Sequence, residues 1–280
     1  MNTAIPLSLG AAITFGAADF LGGLASRKAD VLPVTLVGQA IGLAVIGVAV
    51  PFLPGQLSAA AIGWGVVAGF GGSLGLLAYF RALSIGAMGV TAPVASLVGA
   101  AVPVGVGLGL GERPELTAAI GIVIGVVATV LVSRPPSQAD ATSTAAAPRG
   151  LVTAAAAGVL FGVFFVALDQ APADSGLWPL VGARGIGIVL IGCLVGLRRP
   201  SRPHVRVMGI ATASGLLDMV ANVLFLLATR EGLLVLTAVV TGLYPVVVVI
   251  LAWLFLKERL GRGQLVGVGF ALGAAALIAV

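Results

Sequence analysis

Ten apolar stretches follow one another along the chain, at roughly residues 3–25, 31–53, 58–80, 88–110, 116–133, 150–170, 176–197, 207–229, 234–256 and 264–280. A bilayer's hydrocarbon core takes about 20 apolar residues per helix, so each stretch is long enough to cross it or nearly so. Most breaks between them are short, such as SRKAD at 26–30 and GERPE at 111–115. Only 9% of the residues are charged, and mean hydropathy is +1.18. A soluble domain carries about 25% charged residues. This chain cannot cover a water-facing surface, so lipid must be its solvent. The expected fold is an all-α integral membrane protein with ten transmembrane helices.

Glycine supplies 41 residues. In membrane helices small residues let backbones approach closely, and GxxxG spacings occur at Gly65/Gly69, Gly121/Gly125 and Gly158/Gly162. The net charge of +5 does not signal nucleic acid, because the basic residues lie in the breaks between apolar runs. The single cysteine, Cys193, excludes a disulfide framework. Met1 opens into an apolar run without a basic leader region, so the first helix is read as retained.

Shifting the sequence by 146 residues aligns its halves without a gap. Phe15-Gly16 then falls on Phe161-Gly162, Pro33 on Pro179, Ala82 on Ala228, Thr91 on Thr237 and Glu112-Arg113 on Glu258-Arg259. The expected organisation is a first five-helix repeat over 1–134, a Pro-, Ser-, Thr- and Ala-rich linker over 135–149, and a second repeat over 150–280. Five spans is an odd number, so the second copy sits upside down relative to the first. Inverted repeats are a recurring plan of secondary transporters, with the substrate site near mid-membrane between the copies. Loop charges set the orientation. Twelve Lys and Arg residues collect on one side, including Arg27, Lys28, Arg81, Arg198 and Arg202, against Arg113 and Arg230 on the other. The first side is expected in the cytoplasm, with both termini outside.

Several segments resemble the EamA-type transporters of the drug/metabolite transporter superfamily. They are FGAADFLGGLASR at 15–27, APVASLVGAAVPVGVGLGLGERP at 92–114, GLWPLVGAR at 176–184 and TREGLLVLTAVVTGLYPVVVVILAWLFLKERL at 229–260. The resemblance spans essentially the whole chain. It implies ten helices in an inverted duplication and export of small metabolites, amino acids or drugs across the inner membrane. The two halves depart from each other at Gly38, which stands opposite Arg184, and at Gly99, opposite Pro245.

Ionisable groups in hydrocarbon are costly, by about 2.5 to 3.5 kcal/mol for a central Asp or Arg, so the few present are informative. Asp19 lies in the first helix, Arg184 in the seventh, and Asp218 with Asn222 in the eighth. The last two, spaced i and i+4, share a helix face. By helix rise Asp218 is near mid-span, Arg184 about 4 to 5 Å off centre and Asp19 about 7 to 8 Å off centre. Together they form either a substrate- or proton-binding cluster, joined by Gln39 and Tyr244, or a self-neutralising Arg184–Asp218 pair. Pro93 and Pro245 are candidate helix breaks or hinges. Tyr79, Trp64, Trp178 and Trp253 read as interfacial anchors or packing. Glu112 and Glu258 read as stabilising the positive ends of helices.

No metal-ligand spacing, phosphate loop or nucleophile–base pair occurs, so neither an enzyme nor a cofactor is expected. The reading is a multi-pass carrier of the inner membrane, acting by alternating access on a small-molecule substrate. It is surrounded by membrane lipid, without nucleic acid, and is a monomer or weak homo-oligomer. A channel or lipid-handling protein without a closed site is the alternative.

Overall fold

A bilayer core offers no water to unpaired backbone groups, so a spanning segment must satisfy its own N–H and C=O groups, and helices do so. The computed structural model describes residues 3–85, 88–132, 147–257 and 261–279, with no strand among them. In chain order the helices are α1 (Ala4–Ser26), α2 (Val31–Ala49), α3 (Ala59–Ile85), α4 (Met88–Gly109), α5 (Leu116–Val132), α6 (Ala147–Asp169), α7 (Trp178–Arg198), α8 (Val205–Glu231), α9 (Leu234–Thr241), α10 (Tyr244–Leu256) and α11 (Arg262–Ala279). Seven spans, one of them α9 and α10 taken together as Leu234–Leu256, are long and apolar enough to cross a membrane. Three shorter apolar helices, Val94–Gly109, Leu116–Leu131 and Gly263–Ile278, complete the ten stretches of the sequence. Most of the 135–149 linker, and Glu258 with it, lies outside the described residues.

The chief contacts run between the first five helices and the last six. Helix α1 packs on α8 and α10, α3 on α6 and α7, α2 on α7 and α8, α4 on α6 and α9, and α5 on α11. Glycine makes these approaches possible. A Cβ built on Gly65 would lie 2.2 Å from the Pro179 carbonyl oxygen, so α3 and α7 meet backbone to backbone. A Cβ on Gly158 would lie 2.5 Å from the Ala95 carbonyl oxygen, bringing α6 equally close to α4.

Helix α4 runs unbroken through Pro93, correcting the expected interruption there. Pro93 stands early in its helix, where it removes one backbone bond and the rest of the ladder continues. The second-half span does break, at Gly242 and Leu243, and Pro245 occupies the first turn of α10. There its missing N–H costs nothing. Helix α3 runs on to Ile85 beyond the residue 80 expected, because the charge of Arg81 does not end a helix whose side chain can reach the surface.

The start of α9 is capped from the other half of the chain. Glu112, in the turn after α4, accepts from the backbone N–H of Leu234 and of Val235, each at 2.9 Å, one through each carboxyl oxygen. The expectation that Glu112 stabilises a helix end therefore holds for α9 rather than for its own following helix. At the same end Arg230 donates to the carbonyls of Asp169 and Pro172, and Thr3 donates to Glu231. Charge-assisted bonds of this kind contribute about 1.5 to 3 kcal/mol each where shielded. Glu112→Ala should lower the melting temperature of the purified protein, by about 2 kcal/mol of stability, with Glu112→Gln losing less. An Ala variant that melts with the wild type would show that the cap contributes nothing.

Candidate functional site

Arg184 sits on α7, only 6% exposed, and the surrounding helices leave it a slot. Gly42 of α2 faces it: a Cβ there would stand 3.0 Å from Arg184 Nε. Arg184 Nη1 donates to Gln39 Oε1 at 3.0 Å, and Nη2 forms a salt bridge with Asp218 Oδ2. Gln39 in turn donates from Nε2 to Ser73 Oγ at 3.1 Å. Asn222, one turn beyond Asp218, donates to the Asp218 backbone carbonyl at 2.6 Å and to its Oδ2 at 3.2 Å. Helices α2, α3, α7 and α8 are thereby joined by one polar network. A buried guanidinium is tolerable when its donors are met in this way.

Asp19 approaches from α1 and is 7% exposed. Among the described residues it makes no ion pair; the salt bridge there is Arg184–Asp218. The phenolic rings of Tyr79 from α3 and Tyr244 from α10 lie beside it. Neither hydroxyl makes a hydrogen bond of ordinary geometry among the described residues, and Asn222 Oδ1 and Thr241 Oγ1 are likewise buried and unmet. Buried polar atoms are nearly always paired, so two unmet phenols beside one carboxyl need an explanation.

The polar network and Asp19 border one cavity of about 60 Å³. Asp19, Gln39, Arg184, Asp218, Asn222 and Tyr244, singled out in the sequence, all line it; Pro245 does not. The break that precedes Pro245 reaches it through Gly242, whose carbonyl accepts from Ser96 Oγ of α4.

Sequence reasoning missed the apolar side of the cavity. Phe15, Phe161, Phe164 and Phe165 line it, with Phe15 edge-on to Phe165 at 6.0 Å between ring centres. Of the two readings given to Tyr79, interfacial anchor or packing, the second holds: it is 0% exposed in the core, beside Asp19. An aromatic residue near a helix end looks the same in sequence whether it faces lipid or the interior. The one signal was Phe15 standing opposite Phe161 in the 146-residue offset. Trp64 and Trp253 do face outward, at the surface.

Residues 148–280 match the EamA-like transporter family. A solved crystal structure aligns with 99% of this chain and 98% of its own, at 20% identity and a TM-score of 0.72. At that identity the likeness speaks for the fold alone, and it does so over the whole length. No curated protein matches the chain. The match to the EamA-like transporter family covers just under half of the chain, its second half, and seven spans long and apolar enough to cross a membrane accompany it.

Proposed function

We propose that the protein is a secondary carrier that exports a small polar solute across the inner membrane by alternating access, binding it in the cavity bordered by Asp19, Arg184 and Asp218. The observation that carries this reading is Asp19, buried beside unmet hydroxyls with no cation of its own among the described residues. Intramembrane ionisable groups without a structural partner are functional by default. A solute's ammonium group, or a coupling proton, supplies what Asp19 lacks. The phenylalanines offer an apolar wall to the rest of the molecule.

The alternating-access part rests on an inverted duplication of five-helix units, 1–134 and 150–280. Two observations support it. Pairing α1 with α6, α2 with α7, α3 with α8, α4 with the α9–α10 span and α5 with α11 maps the chief helix contacts onto one another: α1–α8 becomes α6–α3, and α2–α8 becomes α7–α3. Ser96 also bonds to Gly242, its own counterpart at a separation of 146. A residue that touches its counterpart lies on the axis relating the copies. Inverted repeats rock about such an axis around a fixed site.

Three outcomes test this reading. Asp218→Asn leaves Arg184 without its anionic partner, at a cost of about 3 to 5 kcal/mol, and should melt early. Asp218→Asn combined with Arg184→Gln should recover the melting temperature yet not transport; recovered flux in proteoliposomes would reduce the pair to a structural role. Asp19→Asn should keep the wild-type fold and abolish the thermal stabilisation that amines, amino acids or related solutes give in a ligand screen. Unchanged stabilisation in that variant would remove Asp19 from the site. For orientation, Ser201→Cys in a Cys193→Ser background should resist impermeant thiol reagents in intact cells, because the loop before α8 lies on the basic side. Ready labelling from outside would reverse the topology.

A further inference from the structure

A second cleft lies away from the central cavity, where the turn between α1 and α2 meets the ends of α3 and α7. Its walls carry the same sequence of chemistry on both helices. On α3, Leu74 and Leu77 lead up to Arg81 at i, i+3 and i+7, one helix face. On α7, Leu194 leads to Arg198 one turn on. Each wall is therefore apolar in its depth and cationic at the mouth. Leu74 is 38% exposed, an open apolar surface. Arg81 and Arg198 form no ion pair among the described residues, where the salt bridge is Arg184–Asp218.

A further feature points to an anion at that mouth. Ser26 is 5% exposed and lines the cleft, and its hydroxyl has no hydrogen-bond partner among the described residues. The N-terminus of α2 reaches the same space through Val31 and Leu32, and its positive end is already met by Asp30, whose carboxyl accepts from the Leu32 N–H at 2.8 Å.

We propose that this cleft binds an anionic phospholipid, its phosphate held by Arg81, Arg198 and the Ser26 hydroxyl and an acyl chain lying along the leucines. A free phosphate would use the mouth and leave the leucine wall bare; a zwitterionic lipid would cover the wall but bring a cation to the two arginines. Basic pockets between helices on the cytoplasmic side hold anionic headgroups in this manner.

The test uses the full-length protein in detergent, titrated with phosphatidylglycerol, with phosphatidylcholine of the same chains, and with inorganic phosphate. Binding is read by thermal melting and by native mass spectrometry. Phosphatidylglycerol should stabilise most, and Arg81→Gln with Arg198→Gln should weaken its apparent affinity about tenfold or more. Ser26→Ala should weaken it less. Arg202→Gln with Arg206→Gln removes the same charge from the loop before α8 and the helix's first turn, and should leave the affinity unchanged. Equal stabilisation by both lipids, equal loss in the two double variants, or the full shift from phosphate alone would each overturn the proposal. None of these residues borders the central cavity, so the outcome is independent of the transport reading.

Discussion

Hydrocarbon offers no hydrogen bond to a backbone, and every departure from a continuous helix in this protein has to be made good from within. The hardest case is the span from Leu234 to Leu256, which breaks at Gly242 and Leu243 in the protein interior. Its repair comes from the first half of the chain. The Glu112 carboxyl receives the opening N–H groups of α9, and the Ser96 hydroxyl takes the Gly242 carbonyl at the break. A break next to a cavity exposes backbone groups that a continuous helix hides, which is the usual reason transporters keep broken helices. Any movement of one half against the other must carry these bonds along or exchange them.

In the sequence the two halves align at one offset, but the ionisable residues do not recur. At the 146-residue offset, Asp19 stands opposite Phe165, Arg184 opposite Gly38, Asp218 opposite Gly72 and Asn222 opposite Leu76. Several of these apolar counterparts, Phe165, Gly72 and Leu76, line the same cavity and face the polar set across it. Repeating the charges would double the number of buried ionisable groups, each costing about 2.5 to 3.5 kcal/mol in a membrane. One charged half against one small or aromatic half keeps that cost single.

The parts of this arrangement legible in the sequence are those on which hydrocarbon acts directly. Ten apolar runs became ten helical stretches, and the scarce ionisable residues within them came together at one cavity. What was not legible depends on neighbours. Pro93 and Pro245 look alike in sequence, yet α4 continues through the first, while the second opens α10 after a break that Ser96 and the Gly242 carbonyl help to close. Glu112 was legible as a helix cap, but not which helix, because its partners are 122 and 123 residues away. Tyr79 and the phenylalanine wall are apolar letters in an apolar chain, and periodicity cannot tell an inward ring from one facing lipid.

The polar residues of the cavity divide into a closed set and an open one. Arg184 spends one Nη on Gln39 and the other on Asp218, and Asn222 steadies the carboxylate, so α2, α7 and α8 are bound together with the charges balanced. Asp19, Tyr79 and Tyr244 come from α1, α3 and α10; the two hydroxyls are unmet and Asp19 has no cation beside it, among the described residues. A network with its donors and acceptors satisfied resists change, because breaking any member strands a charge. An unsatisfied set gains by taking something up. On our reading, the arginine pair both fixes the cavity's shape and forms part of the binding site, and Asp19 is where the transported species or its coupling proton is received. Helix α3 carries members of both sets, Ser73 of the closed one and Tyr79 of the open one, and α1 packs on α8, so occupation of Asp19 acts on helices that the arginine network already holds.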